Sequence, residues 1–151
     1  MKNNELNGRG YDLDYYALYL RQYLKDHCFP EWEDDLLIEA KAEQATDTLV
    51  ASRLTGDEYV IASEKALATL LDGFEMSNYE FVRDILLEEF TNDIPLDERS
   101  LEFWTYTMLE ELAPEFRGAT LSEEYLATNE GAVFKLTVIG RISLYLEENG
   151  L

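Results

Sequence analysis

Apolar residues recur through most of the chain at intervals of three and four positions, the spacing of one face of an α-helix. In residues 12–26 this face consists of Tyr16, Leu20, Tyr23 and Leu24. Pro30 ends the first run, because a proline disfavours helical backbone at the residue before it. In residues 34–54 the predicted buried stripe consists of Ile38, Ala42, Ala45 and Leu49, and in residues 57–72 the residues predicted to face inward are Val60, Leu67, Leu70 and Leu71. Gly56 and Gly73 follow as typical helix ends. The first half therefore predicts three helices.

The second half begins with a capping signal, in which the Ser77 hydroxyl and the Glu80 carboxylate satisfy each other's backbone amides. The apolar face that follows consists of Val82, Ile85, Leu86 and Phe90, and the fifth helix spans residues 96–112 with Leu101, Trp104, Met108 and Leu112 on one side. A loop with one helical turn around residues 122–126 then reaches Thr128. Thr128 caps a final helix that is apolar on most sides, which predicts a central position for this helix. A strand over residues 133–139 is the alternative, although no partner strand is evident.

These elements predict one fold class and one domain. We expect an all-α bundle of about five or six helices packed around the carboxyl-terminal helix, with a single core in residues 11–151. Residues 1–10 are rich in asparagine and glycine and bury little apolar surface, so we expect them to form a flexible tail. Gly140 interrupts the last helix and requires close backbone packing to compensate.

The charge balance limits the kinds of partner. The 151 residues include 12 basic and 32 acidic side chains, a net charge of −20 that repels phosphate backbones and anionic lipid. We therefore expect no direct nucleic-acid binding and no membrane association. The sequence has no long apolar run and no secretory signal, and its single cysteine cannot form an internal disulfide, which predicts a cytoplasmic protein.

His27 and Cys28, the only histidine and the only cysteine, are adjacent in sequence. A cysteine nucleophile needs an imidazole within hydrogen-bonding distance, whereas neighbouring residues at a helix end point in different directions. A zinc site would also require further nitrogen or sulfur ligands. We therefore interpret the pair as a helix end, with His27 near the helix carboxyl terminus and Cys28 as a small apolar side chain.

Acidic residues also recur in adjacent pairs, namely Asp34–Asp35, Glu88–Glu89, Glu110–Glu111, Glu123–Glu124 and Glu147–Glu148. Facing carboxylates can hold a metal or perform acid–base chemistry, but the Glu-x-x-His motif of di-iron bundles and the glycine-centred loop of EF-hands are both absent. Solvated acidic faces explain the pairs more simply. We predict no catalytic residue, no metal ligand and no cofactor.

Four tyrosines lie close together on the first predicted helix, at Tyr15, Tyr16, Tyr19 and Tyr23. This is more aromatic volume than one buried stripe accommodates, so core packing explains part of the cluster and some rings must lie near the surface. Exposed tyrosines anchor protein interfaces at low entropic cost. We select Tyr15, Tyr19, Glu147 and Glu148 as candidate partner-binding residues.

The segment "LLDGFEMSNYEFVRDILLEEF" and the carboxyl-terminal "GRISLYLEENGL" resemble an uncharacterised bacterial family, a domain of unknown function that is often found on conjugative and other mobile elements. The resemblance covers much of the chain from Asp57 onward, while the first fifty residues match in helical outline only. It implies an all-α fold and brings no activity, so no residue becomes catalytic by this route.

Three functions follow as hypotheses. The first is a non-enzymatic adaptor or regulator that binds a protein with a basic or mixed surface through acidic and tyrosine-rich faces. The second is an acidic mimic of duplex DNA that occupies a DNA-binding protein, and the third is an enzyme that uses paired carboxylates. Net charge does not separate the first two, and self-association into a homo-oligomer is open for all three.

Overall fold

In a computed structural model, the backbone is described for residues 4–150 and the side chains for residues 12–150. The regular elements of this part are helical, apart from one isolated antiparallel bridge between Met76 and Leu121. They are α1 (Asn4–Asp26), a 3-10 helix (Pro30–Glu33), α2 (Asp35–Leu54), α3 (Tyr59–Leu71), α4 (Asn78–Glu89), α5 (Glu98–Glu111), α6 (Ala113–Phe116), α7 (Glu123–Leu126) and α8 (Asn129–Glu148). The predicted all-α fold class is confirmed, and the alternative of a strand over residues 133–139 is wrong.

Two helix boundaries differ from the prediction. Helix α1 begins at Asn4, so residues 4–10 of the expected tail have helical backbone, and residues 1–3 lie outside the described residues. The loop before Thr128 contains the expected helical turn as α7, and it also contains the short helix α6, which was not predicted. Within residues 4–150, no helix is long and apolar enough to cross a membrane.

Side-chain caps fix most of the helix starts that the sequence indicated. The Ser77 hydroxyl accepts from the Glu80 amide at 3.0 Å, and the Glu80 carboxylate accepts from the Ser77 amide at 3.2 Å, which completes the predicted capping box. Thr128 caps α8 by accepting from the Gly131 amide at 3.0 Å. These bonds satisfy amides that no helical carbonyl can reach, so local sequence sets where the helices begin.

The chain divides into two compact units, Met1–Phe74 and Glu75–Leu151. In the first unit, α2 packs against both α1 and α3. The core consists of Tyr16, Leu20, Leu24, Phe29, Ile38, Ala42, Ala45, Leu49, Ala62, Ala66, Leu70 and Phe74. The predicted stripe of α2 is buried as expected. Val60 was predicted to face inward but is exposed, because the small residues Ala62 and Ala66 turn the other side of α3 towards α2.

The second unit has its own buried cluster, which consists of Phe81, Val82, Ile85, Leu86, Phe90, Ile94, Leu101, Met108, Leu112, Phe116, Leu121, Val138, Ile142 and Leu146. Helix α8 contributes one face to this cluster. Val133, Leu136 and Leu144 lie exposed on α8, so the prediction that this helix is surrounded by its neighbours was wrong. Two buried clusters, one in each unit, replace the single core that we expected around the last helix.

Candidate functional site

Two exposed tyrosines lie together on the outer face of α1. Tyr15 and Tyr19 are one helical turn apart, and their ring centroids are separated by 6.1 Å. The Tyr15 ring also meets the buried Tyr16 ring edge-on at 5.3 Å. The buried Tyr16 ring therefore supports Tyr15, and Tyr15 in turn lies beside Tyr19 on the surface of a long helix.

A third exposed tyrosine, Tyr59, lies at the start of α3 and acts electrostatically on the buried Tyr16 behind the pair. Burial is the main cause that raises the pKa of Tyr16 to about 12, and the hydroxyl of Tyr59 is the next largest cause, followed by Asp12 and Tyr15. Sequence reasoning missed Tyr59 because the neighbourhood depends on how α2 reverses the chain. We refer to Tyr15, Tyr19 and Tyr59 as the tyrosine surface.

An open groove of about 580 Å³ lies between α1 and α2 in the same unit. Its apolar lining includes Leu13, Ala17, Leu36, Ile38 and Ala42, and its rim includes Asp14, Glu39, Glu43 and Arg21. Arg21 is occupied within the unit, because its guanidinium donates to the Trp32 carbonyl and to the Asp35 carboxylate, each at 2.7 Å. The remaining rim charges are acidic, so the groove presents an apolar floor with a negative border.

The other two candidate residues, Glu147 and Glu148, lie in the second unit. Both are exposed in the last turn of α8. Carboxylates there face the negative end of the helix dipole, which is unfavourable for the helix. The structure thus brings Tyr15 and Tyr19 together, and it places the two glutamates in the other unit.

The His27–Cys28 pair ends α1. Cys28 has a φ of 62°, in the left-handed region, while the Phe29 amide donates to the Leu24 carbonyl at 2.8 Å and the Cys28 amide to the Lys25 carbonyl at 3.2 Å. This is the Schellman pattern of a helix end, in which Cys28 occupies the position that glycine usually takes. The imidazole of His27 lies 4.3 Å from the ring centroid of Tyr23, whose hydroxyl donates to the Phe74 carbonyl at 2.8 Å. The pair therefore serves as a helix end in the first unit.

A cleft of about 350 Å³ in the second unit gathers two of the paired acids. Glu88 and Glu123 line it together with Asp84 and Lys135, over a floor that includes Phe81. Desolvation raises the pKa of Asp84, with Glu88 as the next cause, and Lys135 forms an ion pair with Glu88 at 3.8 Å. Among residues 12–150, no group of three or more histidine, cysteine, aspartate or glutamate side chains is arranged to hold a metal. The cleft therefore offers charge without a metal-binding geometry.

Comparison with solved structures gives the same fold at low sequence identity. The crystal structure of protein PG0816 from Porphyromonas gingivalis matches with a TM-score of 0.81 and 21% identity, over 95% of this chain and 96% of that one. This similarity concerns the fold alone. No curated protein matches the chain. A family model described as a domain of unknown function, DUF1896, matches residues 9–151, and the chain therefore belongs to that family.

Proposed function

We propose that the protein is a non-enzymatic interaction module that binds another protein through the tyrosine surface. The observation that carries the proposal is the pair of exposed rings at Tyr15 and Tyr19, whose centroids are 6.1 Å apart, with Tyr15 packed edge-on against buried Tyr16. A rigid aromatic pair loses little conformational freedom on binding, and such residues supply most of the free energy at protein interfaces. Buried tyrosines alone would stabilise the fold, but two exposed rings in contact provide an anchor.

The negative charge of the chain favours a partner protein with a basic or mixed surface. The chain carries a net charge of −20, and the groove next to the tyrosine-bearing helix is bordered by Asp14, Glu39 and Glu43. Acidic rims accelerate association with basic partners and repel nucleic acid. The same negative charge favours a cytoplasmic location over an anionic membrane surface. The family resemblance further implies a mobile-element setting for the protein.

The proposal requires binding to depend on individual rings. A partner would first be captured from the native host and purified, and its affinity then measured by calorimetry for the wild type, Tyr15→Ala and Tyr19→Ala. Each truncation should cost about 2 kcal/mol of binding free energy, since aromatic anchors dominate such interfaces. Tyr106→Ala, which removes an exposed tyrosine of the second unit, is the matched control and should leave the affinity unchanged.

Salt dependence separates this proposal from the duplex mimic. A mimic would use many carboxylates at once, so its affinity for a DNA-binding protein would fall steeply with salt, and duplex DNA would compete. The interaction module is supported if the affinity depends only modestly on salt concentration and if one tyrosine substitution causes most of the loss of affinity. The proposal would be refuted if substitutions in the acidic pairs each reduced the affinity to a similar extent while Tyr15→Ala and Tyr19→Ala had no effect.

A further inference from the structure

The outward face of α8 carries an apolar stripe that the second unit leaves uncovered. Val133, Leu136 and Leu144 are 62%, 67% and 48% exposed, and Gly140 lies between them. At 100° per residue these four positions fall within about 80° of one another, so they form one continuous stripe. We propose that a second copy of this chain packs on the stripe, with its α8 antiparallel to the first and a two-fold axis at Gly140.

Gly140 is the first argument for a close approach at the centre of the stripe. Glycine in a helix interior lowers helix stability relative to alanine, and it is tolerated where another backbone comes near. A Cβ added at Gly140 would meet nothing within 4 Å, so no neighbour within the chain explains the glycine. At Gly131 of the same helix, by contrast, a Cβ would collide with the backbone of Tyr125. The free space above Gly140 therefore suits a backbone from outside the chain.

The spacing around Gly140 is self-complementary. Leu136 and Leu144 each lie four residues from it, about 6 Å along the helix in opposite directions. A two-fold axis at Gly140 therefore places Leu136 of each copy level with Leu144 of the other, and Thr137 level with Ser143. An isologous interface requires this property, because every contact must occur twice. The leucines form the knobs, and the glycine forms the gap between them.

The distribution of charge favours a second copy over a basic partner at this face. Residues 131–146 contain no aspartate or glutamate, although the chain has 32 acidic residues. Both basic residues of the stretch form ion pairs within the second unit, Lys135 with Glu88 at 3.8 Å and Arg141 with Glu115 at 2.5 Å. A basic partner would gain little here, whereas a copy that carries −20 itself meets the least repulsion at an acid-free surface. The same argument predicts that salt strengthens association, because it screens the remaining repulsion.

Sedimentation equilibrium of the full chain at several protein concentrations tests the proposal. The wild type should form a dimer, and the dimer should tighten when sodium chloride is raised from low to high concentration. Gly140→Gln should weaken the dimer by about tenfold or more by separating the helices, and Leu136→Gln combined with Leu144→Gln should do the same. Residue 140 is exposed, a Cβ there meets nothing within 4 Å, and glutamine replaces a poor helix former, so we expect Gly140→Gln to fold at least as well as the wild type.

The matched control is Leu54→Gln, which changes a leucine of the first unit that is even more exposed than Leu136 and Leu144, and it should leave the dimer unaffected. Tyr15→Ala should also leave it unaffected, which separates this proposal from the tyrosine surface. A wild type that stays monomeric at all concentrations and salts would overturn the proposal, and so would a dimer that the α8 variants do not weaken.

Cross-linking tests the position of the axis. In a Cys28→Ser background, Gly140→Cys should form a disulfide-linked dimer under mild oxidation, because residues on the axis of two closely packed helices come within disulfide range. Val133→Cys should not, since residue 133 lies seven residues from the axis and the two copies of it would be about 21 Å apart. Stronger cross-linking at residue 133 than at residue 140 would refute the antiparallel arrangement.

Discussion

Gly131→Ala is expected to destabilise the second unit, although alanine is the better helix former. Gly131 lies in the first turn of α8 and is buried against α7. A Cβ at this position would lie 2.0 Å from the Tyr125 carbonyl oxygen, 2.6 Å from its carbonyl carbon and 2.7 Å from the Leu126 Cα. All three are backbone atoms, so no side-chain rotation can relieve the overlap, and the two helices must separate.

The required displacement sets the magnitude. Increasing the separation from 2.0 Å to an ordinary contact of 3.4 Å demands a shift of about 1.4 Å between the backbones of α7 and α8. That shift also disturbs the cap of α8, because the Thr128 hydroxyl donates to the Tyr125 carbonyl at 2.5 Å while accepting from the Gly131 amide at 3.0 Å. Overpacking of this kind costs about 1–3 kcal/mol or more, which exceeds the gain of up to about 1 kcal/mol from helix propensity.

Gly140→Ala provides a matched comparison in the same helix. Its new methyl group meets nothing within 4 Å, so the variant should be more stable than the wild type by about 1 kcal/mol. Urea unfolding followed by circular dichroism, at the lowest protein concentration that gives a usable signal, measures both changes. If Gly131→Ala is as stable as the wild type, the close packing of α7 on α8 is wrong.

Three further predictions concern the cores and the end of α1. Burial and Tyr59 raise the pKa of Tyr16 from 10 to about 12, so the neutral Tyr16 side chain contributes fully to stability below pH 10. This contribution is lost as the pH rises towards 12. Urea unfolding at several pH values should therefore show the wild type losing on the order of 2 kcal/mol relative to Tyr16→Phe between pH 10 and pH 12. Cys28→Gly should raise the melting temperature by removing a left-handed strain of about 1 kcal/mol, whereas Cys28→Ser should not; a lower melting temperature for the glycine variant would contradict the φ of 62°. Ile142→Ala should cost about 2–5 kcal/mol in chemical unfolding and half-buried Ile139→Ala clearly less, while equal losses would mean that the buried face of α8 is misassigned.

Signals that act within one or two helical turns were predictable from the sequence. The reciprocal hydrogen bonds of Ser77 and Glu80, and the cap at Thr128, depend only on residues three positions apart. The stripe on α2 that includes Ile38 and Leu49 was predictable from the spacing of its residues at three and four positions, although Leu36 and Leu54 of the same helix are exposed. Local chemistry therefore fixed where these helices begin and which side of α2 is buried.

Features that depend on which helix faces pack against each other were not predictable from the sequence. Helix α8 is apolar on most sides, and the pattern could not show that Leu136 is exposed while Ile142 is buried in the core of the second unit. Val60 was predicted to face inward, yet Val60 is exposed and α3 buries Ala62 and Ala66 in the core that it shares with α2. The same limit applies to the candidate site, in which Tyr15 and Tyr19 follow from helical spacing but Tyr59 is supplied by a different helix.

The two proposed surfaces belong to different units, and this separation has a functional consequence. A dimer formed through α8 of the second unit carries two copies of the tyrosine surface, one on each first unit. Binding of such a dimer to a partner immobilised at high density converts the second contact into an intramolecular step, which raises the apparent affinity above that of one surface. Gly140→Gln should then weaken binding to the dense surface while leaving the affinity for the same partner in dilute solution unchanged, whereas Tyr15→Ala should weaken both. Equal weakening of both measurements by Gly140→Gln would show that α8 itself contacts the partner, and it would replace the dimer by a heterologous interface at this helix.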